Sequence, residues 1–349
     1  MTDRVVLGGA SGFMGRALRA HYAAAGREVV TIGRTGADLA WTDAAGIADA
    51  VDGASLVVGL AGKSVNCRYT ERNRDEIFAS RLTTTRALRT AIAEADAPPP
   101  LWVNSSTATI YRHADDRPMT ESAGDLGSGF SVEVAKAWER ELFAADLPAT
   151  RRVALRSAIV LGRDGGVLPE LAGLARVGLG GPQLDGWWPV SRGRVRAGTA
   201  HRPGTRGGRQ RFSWVHIADV LGILDHLERT TELTGPVNAS APGPVGSRDL
   251  MAAVRRRVGA RVSFPMPRWM LEMGALARGT ETELILKSRW VLPERLVASG
   301  YTFAFPTLGA ALDDLLRCPG TPRRRRARRR TAPVAAGSAP RRTGTRSSR

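Results

Sequence analysis

Gly8-Gly9-Ala10-Ser11-Gly12-Phe13-Met14-Gly15 is the stretch on which the fold turns. It follows an apolar run, residues 5–8, that reads as a strand, and it opens residues 13–25, which read as a helix. Gly9, Gly12 and Gly15 supply the spacing G-x-x-G-x-x-G. One glycine allows the sharp turn, the next lets the backbone approach a pyrophosphate, and the last lets the helix pack close to the strand. The free N–H groups and partial positive charge of a helix N-terminus then face the phosphates. Flexible turns produce glycine patterns too, so the strand before and the helix after carry the reading. Gly9, Ser11, Gly12, Phe13, Met14 and Gly15 are therefore expected at a dinucleotide.

Working outward, residues 28–32 and 55–60 read as buried strands with a helical stretch at 44–51 between them. A helix is expected over 72–95, closed by the Pro98-Pro99-Pro100 run, then a strand at 101–104, a helix at 130–145 and a strand at 152–160. Strands alternating with helices of this length imply right-handed βαβ crossovers and a parallel sheet covered on both faces. The fold class is α/β, a Rossmann-like doubly wound sheet in a domain of residues 1–165. Beyond 162 the elements shorten: a strand at 212–217, a helix at 218–229, a strand at 236–239, and a helix at 247–258 with Ser247 as cap. Strands from 212–240 are expected to rejoin the first domain. Residues 166–317 are expected to form mostly a smaller α+β substrate lobe, with Trp269, Trp290 and Phe303 in its core. Residues 318–349 are nearly devoid of large apolar side chains and read as a disordered, Arg-rich tail.

The net charge of +18 suggests nucleic acid until it is located. Residues 319–349 hold 11 Arg and 187–211 hold 7, with no acid in either, and removing both leaves a neutral globule. No aromatic residues interleave the tail, so no specific nucleic-acid partner is expected. The two cysteines, Cys67 and Cys318, give neither a disulfide framework nor a zinc spacing, which favours a reducing, cytoplasmic setting. The N-terminus does not read as a leader, and no apolar run nears the ~18 residues that cross a bilayer. His21, His113, His201, His216 and His226 lack metal-ligand spacing. A G-x-S-x-G elbow is missing, so hydrolase chemistry has no support. His216 and Asp219 sit at a strand–helix junction, where Asp219 reads as structural. The expected partner is a small molecule, and a homodimer is one assembly the sequence allows.

Cofactor choice is read at the end of the second strand. NAD-binding domains place an Asp or Glu there for the ribose hydroxyls. Here the run is Thr31-Ile32-Gly33-Arg34. An arginine clamps a 2′-phosphate through charge-assisted hydrogen bonds, which favours NADP(H).

Further segments carry a family resemblance: Leu60-Ala61-Gly62 with Asn66, Arg68 and Tyr69; Ser80-Arg81-Leu82; Ser105-Ser106-Thr107; Leu155-Arg156-Ser157; Gly180-Gly181-Pro182; Phe212-Ser213-Trp214-Val215-His216; and Leu292-Pro293-Glu294-Arg295-Leu296. Over about residues 3–317 the chain resembles the atypical extended short-chain dehydrogenase/reductases, the NAD(P)-dependent epimerase family that ends in a small domain of unknown function. The resemblance implies that Gly33, Arg34, Leu60, Ala61, Gly62, Glu76, Arg81 and Val160 line the dinucleotide; Glu76 and Arg81 also fit an ordinary exposed helix pair. It implies an oxidoreductase or epimerase acting on a small polar or sugar-like substrate.

Two departures stand out. The wider class pairs a Ser or Thr with Y-x-x-x-K for acid–base work. Thr107 and Lys136 stand at the first and last of these positions, but Val132 replaces the tyrosine, and valine transfers no proton. Thr107 and Lys136 are thus the candidate catalytic residues, with Tyr111, Glu133 and His216 as other acids to place. A non-catalytic dinucleotide sensor or scaffold is the alternative. The second departure is residues 183–207, where the family has a short turn. They read as a solvated, poorly ordered insertion in preference to a substrate lid.

Overall fold

The computed structural model describes residues 3–201 and 204–316. The expectations for the tail and for Cys318 lie outside those residues. In chain order the first half runs β1 (Arg4–Gly8), α1 (Phe13–Ala24), β2 (Glu28–Gly33), β3 (Leu39–Ala40), α2 (Ala44–Val51), β4 (Leu56–Gly59), α3 (Glu71–Glu94), β5 (Leu101–Thr107), α4 (Phe130–Leu142) and β6 (Arg151–Ser157). It continues with β7 (Ile159–Leu161), α5 (Leu168–Arg176), α6 (Arg192–Arg196), β8 (Arg211–Phe212), β9 (Trp214–His216), α7 (Ile217–Arg229) and β10 (Gly235–Ala239). The remainder is β11 (Val245–Gly246), α8 (Ser247–Val258), α9 (Arg268–Arg278), α10 (Glu283–Leu286), α11 (Glu294–Ala298) and α12 (Leu308–Leu316).

Seven parallel strands form the main sheet in the order β10-β6-β5-β4-β1-β2-β3. β1 is apolar on both sides because both faces of the sheet are covered. Val5 and Leu7 face a core built with Leu18 and Tyr22 of α1 and Val220, Ile223 and Leu227 of α7. Val6 faces the opposite core, with Ile47 and Val51 of α2 and Leu88 and Ile92 of α3. The sheet is doubly wound. β1 pairs with β2 on one side and with β4 on the other, so the strand order reverses at β1 and a crevice opens beyond the carboxyl ends of β1 and β4.

A second apolar cluster, with Leu171 of α5, Leu250 and Val254 of α8 and Leu312 of α12, surrounds Trp214 and forms the smaller lobe. Two expected strands break here. The run expected at 152–160 breaks at Ala158: β6 stays in the main sheet, while β7 leaves it to pair in parallel with β9. Likewise 212–217 divides at Ser213, whose hydroxyl donates to Arg289 O (2.8 Å) and accepts from Val291 N (2.8 Å). The α8 cap is Gly246, and Ser247 is the first helical residue, its hydroxyl directed at Gln183. Trp269 is 56% exposed on α9, and the expected aromatic core of the lobe does not form: Phe303 is buried in the main core with Val220 and Ile223, and Trp290 packs partly buried against Tyr111 and Met119. Asp219 is structural: its buried carboxylate accepts from Ala304 N (2.7 Å) and Phe305 N (3.1 Å), fastening the lobe to α7.

Residues 183–207 correct the reading as a solvated insertion. They contain α6, capped by the Ser191 hydroxyl, and bury Gln183, Thr199, His201 and Thr205. Arg192, Arg196 and Arg206 are exposed as expected, but Arg194 pairs with Glu281 and Asp185 with His201 and Arg268, which anchors the segment. Among the described residues no helix is long and apolar enough to cross a membrane, and no His/Cys/Asp/Glu group could hold a metal.

Candidate functional site

The glycine turn is stitched into the crevice by backbone bonds, Gly9 N to Ile32 O (2.9 Å) and Leu60 N to Gly8 O (2.8 Å). Gly9 has φ +88°, and a Cβ there would lie 2.8 Å from Ala61 N. At Gly15 a Cβ would lie 2.4 Å from Gly9 O and 2.7 Å from Ala10 Cα. The fold itself demands both glycines. Gly12 is different. A Cβ there would meet only Gly9 O, at 3.6 Å, an ordinary contact. The protein has no need of a glycine at 12, so the bare backbone there fits a ligand that comes close. Gly12 also caps α1 without a side chain, leaving the first-turn N–H groups for an anion. Phe13 is clasped by the loop after β7: a Cβ at Gly162 or Gly165 would fall 2.2 or 2.3 Å from its ring. Neither Gly162 nor Gly165 was singled out from the sequence as a site residue.

Beyond β2 lies a cavity of about 500 Å³ lined by Ser11, Arg16, Arg19, Gly33, Thr35 and Ala37, among others. Arg34 is exposed on its rim, between Gly33 and Thr35. Arg16 and Arg19 were not singled out from the sequence, though their spacing of three along α1 puts them on one face. The nearby carboxylate, Asp38, is turned back onto Thr31, accepting from its N (2.8 Å) and hydroxyl (2.7 Å). These bonds hold it below the usual carboxylate range. Among the described residues that line this cavity, Arg16 and Arg19 are cationic and none is acidic.

Leu60, Ala61 and Gly62 leave β4 beside the turn. Gly62 lies over Arg81, whose Cζ would be 3.0 Å from a Cβ. The Arg81 guanidinium donates to Lys63 O (3.0 Å) and Ile77 O (3.1 Å), and burial pushes it down to about 10. Glu76 does not pair with it. Glu76 sits nearer solvent with Lys63 and Arg72, whose hydrogen bonds hold it down to about 2. The exposed helix pair is therefore absent, and Lys63 is a neighbour the sequence reading did not include. Met14, Leu60 and Val160 all pack, partly buried, against the edge of the main core.

At the end of β5, Thr107 accepts from Thr109 N (3.1 Å) through its hydroxyl and starts a 3₁₀ turn, Ala108–Ile110. Val132 is fully buried in α4. One turn on, Lys136 donates to Gly127 O (3.0 Å) and Glu133 (3.0 Å). Gly127 lines a second cavity of about 550 Å³, walled also by Arg112, His113, His201, Glu283 and Lys287. Lys287 Nζ donates to Thr109 O (2.8 Å), and burial pushes it down to about 8. Its only mark in the sequence is rarity, one of three lysines. The insertion supplies part of the wall: Gly198 O accepts from Phe130 N (2.9 Å) at the start of α4, and Asp185 binds His201 (2.9 Å) and Arg268 (2.9 Å). Arg194 reaches Glu281 (2.6 Å).

Of the other acids, Tyr111 and Glu133 are held by partners, and His216 is held at Nδ1 while its Nε2 faces Asp314 at 3.4 Å. Tyr111 donates to Asn238 Oδ1 (2.9 Å) and accepts from Arg156 (2.9 Å). His216 accepts from Ala218 N (3.0 Å) as the cap of α7 and stacks on Phe305. Glu133 holds Lys136.

A model of the NAD dependent epimerase/dehydratase family matches residues 5–132, and a model of a domain of unknown function, DUF1731, matches residues 266–315. The human epimerase family protein SDR39U1 is 31% identical over 320 residues, covering 90% of this chain and 99% of that protein. The chain belongs to the epimerase family. It is an atypical extended short-chain dehydrogenase/reductase with the family's two parts in order. Within the family, a crystal structure of human SDR39U1 (isoform 2) with NADPH superposes with a TM-score of 0.75 at 30% identity, covering 90% of this chain and 99% of that one. A nucleoside-diphosphate sugar epimerase from Corynebacterium glutamicum gives 0.66 at 25% identity over 90% of this chain and 59% of that one.

Proposed function

We propose that this epimerase-family chain is an NADP(H)-dependent oxidoreductase or epimerase acting on a small polar or sugar-like substrate. The observation that carries the reading is the cavity beyond β2, which Arg16 and Arg19 line, with Arg34 exposed between the lining residues Gly33 and Thr35 and Asp38 withdrawn onto Thr31. NADPH in the human relative and the sugar-nucleotide epimerase among the structural neighbours support it. Gly9, Ser11, Gly12, Phe13, Met14 and Gly15 would hold the pyrophosphate, and Gly33 and Arg34 the adenosine end. Leu60, Ala61, Gly62 and Val160 would flank the nicotinamide half, with Arg81 and Glu76 behind them. Bound, the cofactor supplies or accepts a hydride at a carbonyl or alcohol carbon. Thr107 would hydrogen-bond the substrate oxygen, and Lys136 would hold the ribose hydroxyls as a point charge. A cytoplasmic setting, where the cofactor is reduced, suits this chemistry.

Fluorescence titration of the purified protein with NADPH and with NADH is the direct test. Saturable binding that favours NADPH is expected, and no saturable binding would sink the reading. The second reading, a dinucleotide sensor without turnover, rests on Val132 in the position of the catalytic tyrosine. A screen of aldehydes, ketones and nucleotide sugars against bound NADPH separates the two.

A further inference from the structure

Val132 leaves the proposed chemistry without the tyrosine proton donor of α4, and the groups able to replace it line the cavity beyond β5. Arg112 is held by Asp116 and Asp125 and keeps its proton. His113 has both ring nitrogens occupied, Nδ1 by Ser288 N (3.2 Å) and Nε2 by the Thr205 hydroxyl (2.9 Å). His201 is bound to Asp185, and Glu283 receives the Ser131 hydroxyl (3.3 Å). Lys287 differs from all of these. Its ammonium is buried, lines the cavity and makes one hydrogen bond among the described residues, to Thr109 O.

The setting of that ammonium is specific. Thr109 lies two residues beyond Thr107, in the turn that leaves β5. Lys287 holds its carbonyl, and the buried Arg289 donates to its hydroxyl (3.2 Å). Two cations thus converge on one residue at the carboxyl end of the sheet, in the half of the crevice opposite the cavity beyond β2. A dinucleotide spanning the crevice places its second half there. Arg289 disfavours the Lys287 charge and Glu283 favours it, while burial outweighs both and loosens the proton.

We propose that Lys287 is the catalytic acid–base of this chain, giving its proton to the oxygen of a carbonyl substrate seated in the cavity beyond β5. The inference rests on the dinucleotide reading above. In reduction the carbonyl carbon takes the hydride that NADPH supplies, the C=O π bond opens, and the oxygen takes the proton of Lys287. The products are the alcohol, NADP⁺ and a neutral amine, which regains its proton from water. In the reverse direction the neutral amine takes the alcohol proton. A buried lysine serves this exchange because its proton is released near neutral pH.

The chain has three lysines, Lys63, Lys136 and Lys287, so reductive methylation with ¹³C-formaldehyde yields one NMR signal for each beside the N-terminus. The Lys287 signal is the one missing from Lys287→Arg. It is expected to titrate near 8 and to move when NADPH is added. Titration in the ordinary range, about 10.4, overturns the proposal, as does a signal that NADPH leaves still while fluorescence reports binding. If NADPH does not bind at all, the dinucleotide reading itself falls and takes this one with it. With any carbonyl that the screen finds, Lys287→Met and Lys287→Arg should keep NADPH affinity and lose about 10²-fold or more in kcat. Rescue by the arginine, which keeps the charge but not a transferable proton, would show a positioning role and overturn the assignment.

Discussion

At the glycine turn the backbone alone shapes the site, through Gly9, Gly12, Gly15 and the unpaired N–H groups of α1. At the cavity beyond β5 the walls carry titratable side chains from distant stretches: Arg112 and His113 after β5, His201 from the insertion, Glu283 and Lys287 from the lobe. The first region is contiguous in sequence and tolerant of chemistry but not of volume. The second tolerates volume, but its buried charges must keep their partners. Substitutions should therefore fail differently in the two.

The largest effect is expected at Asp185 of the insertion, which joins His201 to Arg268 of α9. Removing one member of a buried charged set leaves the others unpaired, so Asp185→Ala should cost about 3–5 kcal/mol by denaturant unfolding. Burial alone would raise the Asp185 carboxyl, but bonds from His201 and from Gly204 N outweigh it and leave the group below the usual range. Its contribution is present above the unfolded carboxylate value, about 3.9, and is lost only as pH falls through the lower folded value. An insertion that loosens at pH 6 in hydrogen exchange would contradict this anchoring.

At the turn the contrast lies between two glycines. Gly15→Ala drives a Cβ into backbone at 2.4 Å and should cost about 1–3 kcal/mol of stability. Gly12→Ala should cost no more than about 1 kcal/mol, from the poorer helix cap, while NADPH binding falls steeply. If both variants lose stability equally, the open side of Gly12 is not a ligand face.

That contrast also explains what could be read in advance. Glycine spacing and strand periodicity are local, so the doubly wound sheet and the glycine turn between β1 and α1 were legible from residues 1–160. The cavity was not. Nothing local to Arg192–Arg196 tells that Arg194 will meet Glu281, or that Gly198 will accept from Phe130, because those partners lie far along the chain. The same holds for Ala158, where one strand becomes two, since the break depends on β9 arriving alongside β7. Trp269 shows the opposite failure: an aromatic spaced for a core lies on an open face of α9.

Lys287 sharpens the comparison through stability. Its folded value, about 8, lies below the unfolded lysine value. The unfolded chain therefore binds more protons between the two, and stability rises with pH across that window. Below it the buried ammonium is a net cost, so Lys287→Met should stabilise the protein at pH 7 by about 1–3 kcal/mol, offset in part by the lost bond to Thr109. The gap to wild type should close on going from pH 8 to about 10.4. A destabilised methionine variant at pH 7 would mean that the bond to Thr109 O dominates.

Arg34 tests the cationic wall with a smaller change. Arg34→Ala should weaken NADPH by about tenfold, some 1.4 kcal/mol, and leave NADH nearly untouched, because the exposed guanidinium would meet only the 2′-phosphate. Equal weakening of both would move the 2′-phosphate to Arg16 and Arg19 or abandon it.

The smallest expected effect on the fold belongs to Lys136 of α4. It lies one turn beyond the buried Val132, and its ammonium reaches Gly127 O at the wall of the second cavity. Its bond to Glu133 is a partly exposed i,i+3 pair on α4 and contributes little. Lys136→Met keeps the apolar stem and removes the charge, so thermal stability should stay within roughly ±0.5 kcal/mol. If Lys136 holds the ribose, the same change should weaken NADPH and NADH alike, since both carry that ribose, whereas Arg34→Ala discriminates between them. Calorimetric titration of the two variants with both nucleotides reads this pattern directly. Unchanged affinity in Lys136→Met would reduce the lysine to a tether for the Gly127 loop. The cavity beyond β5 would then depend on Lys287 as its one lysine facing substrate.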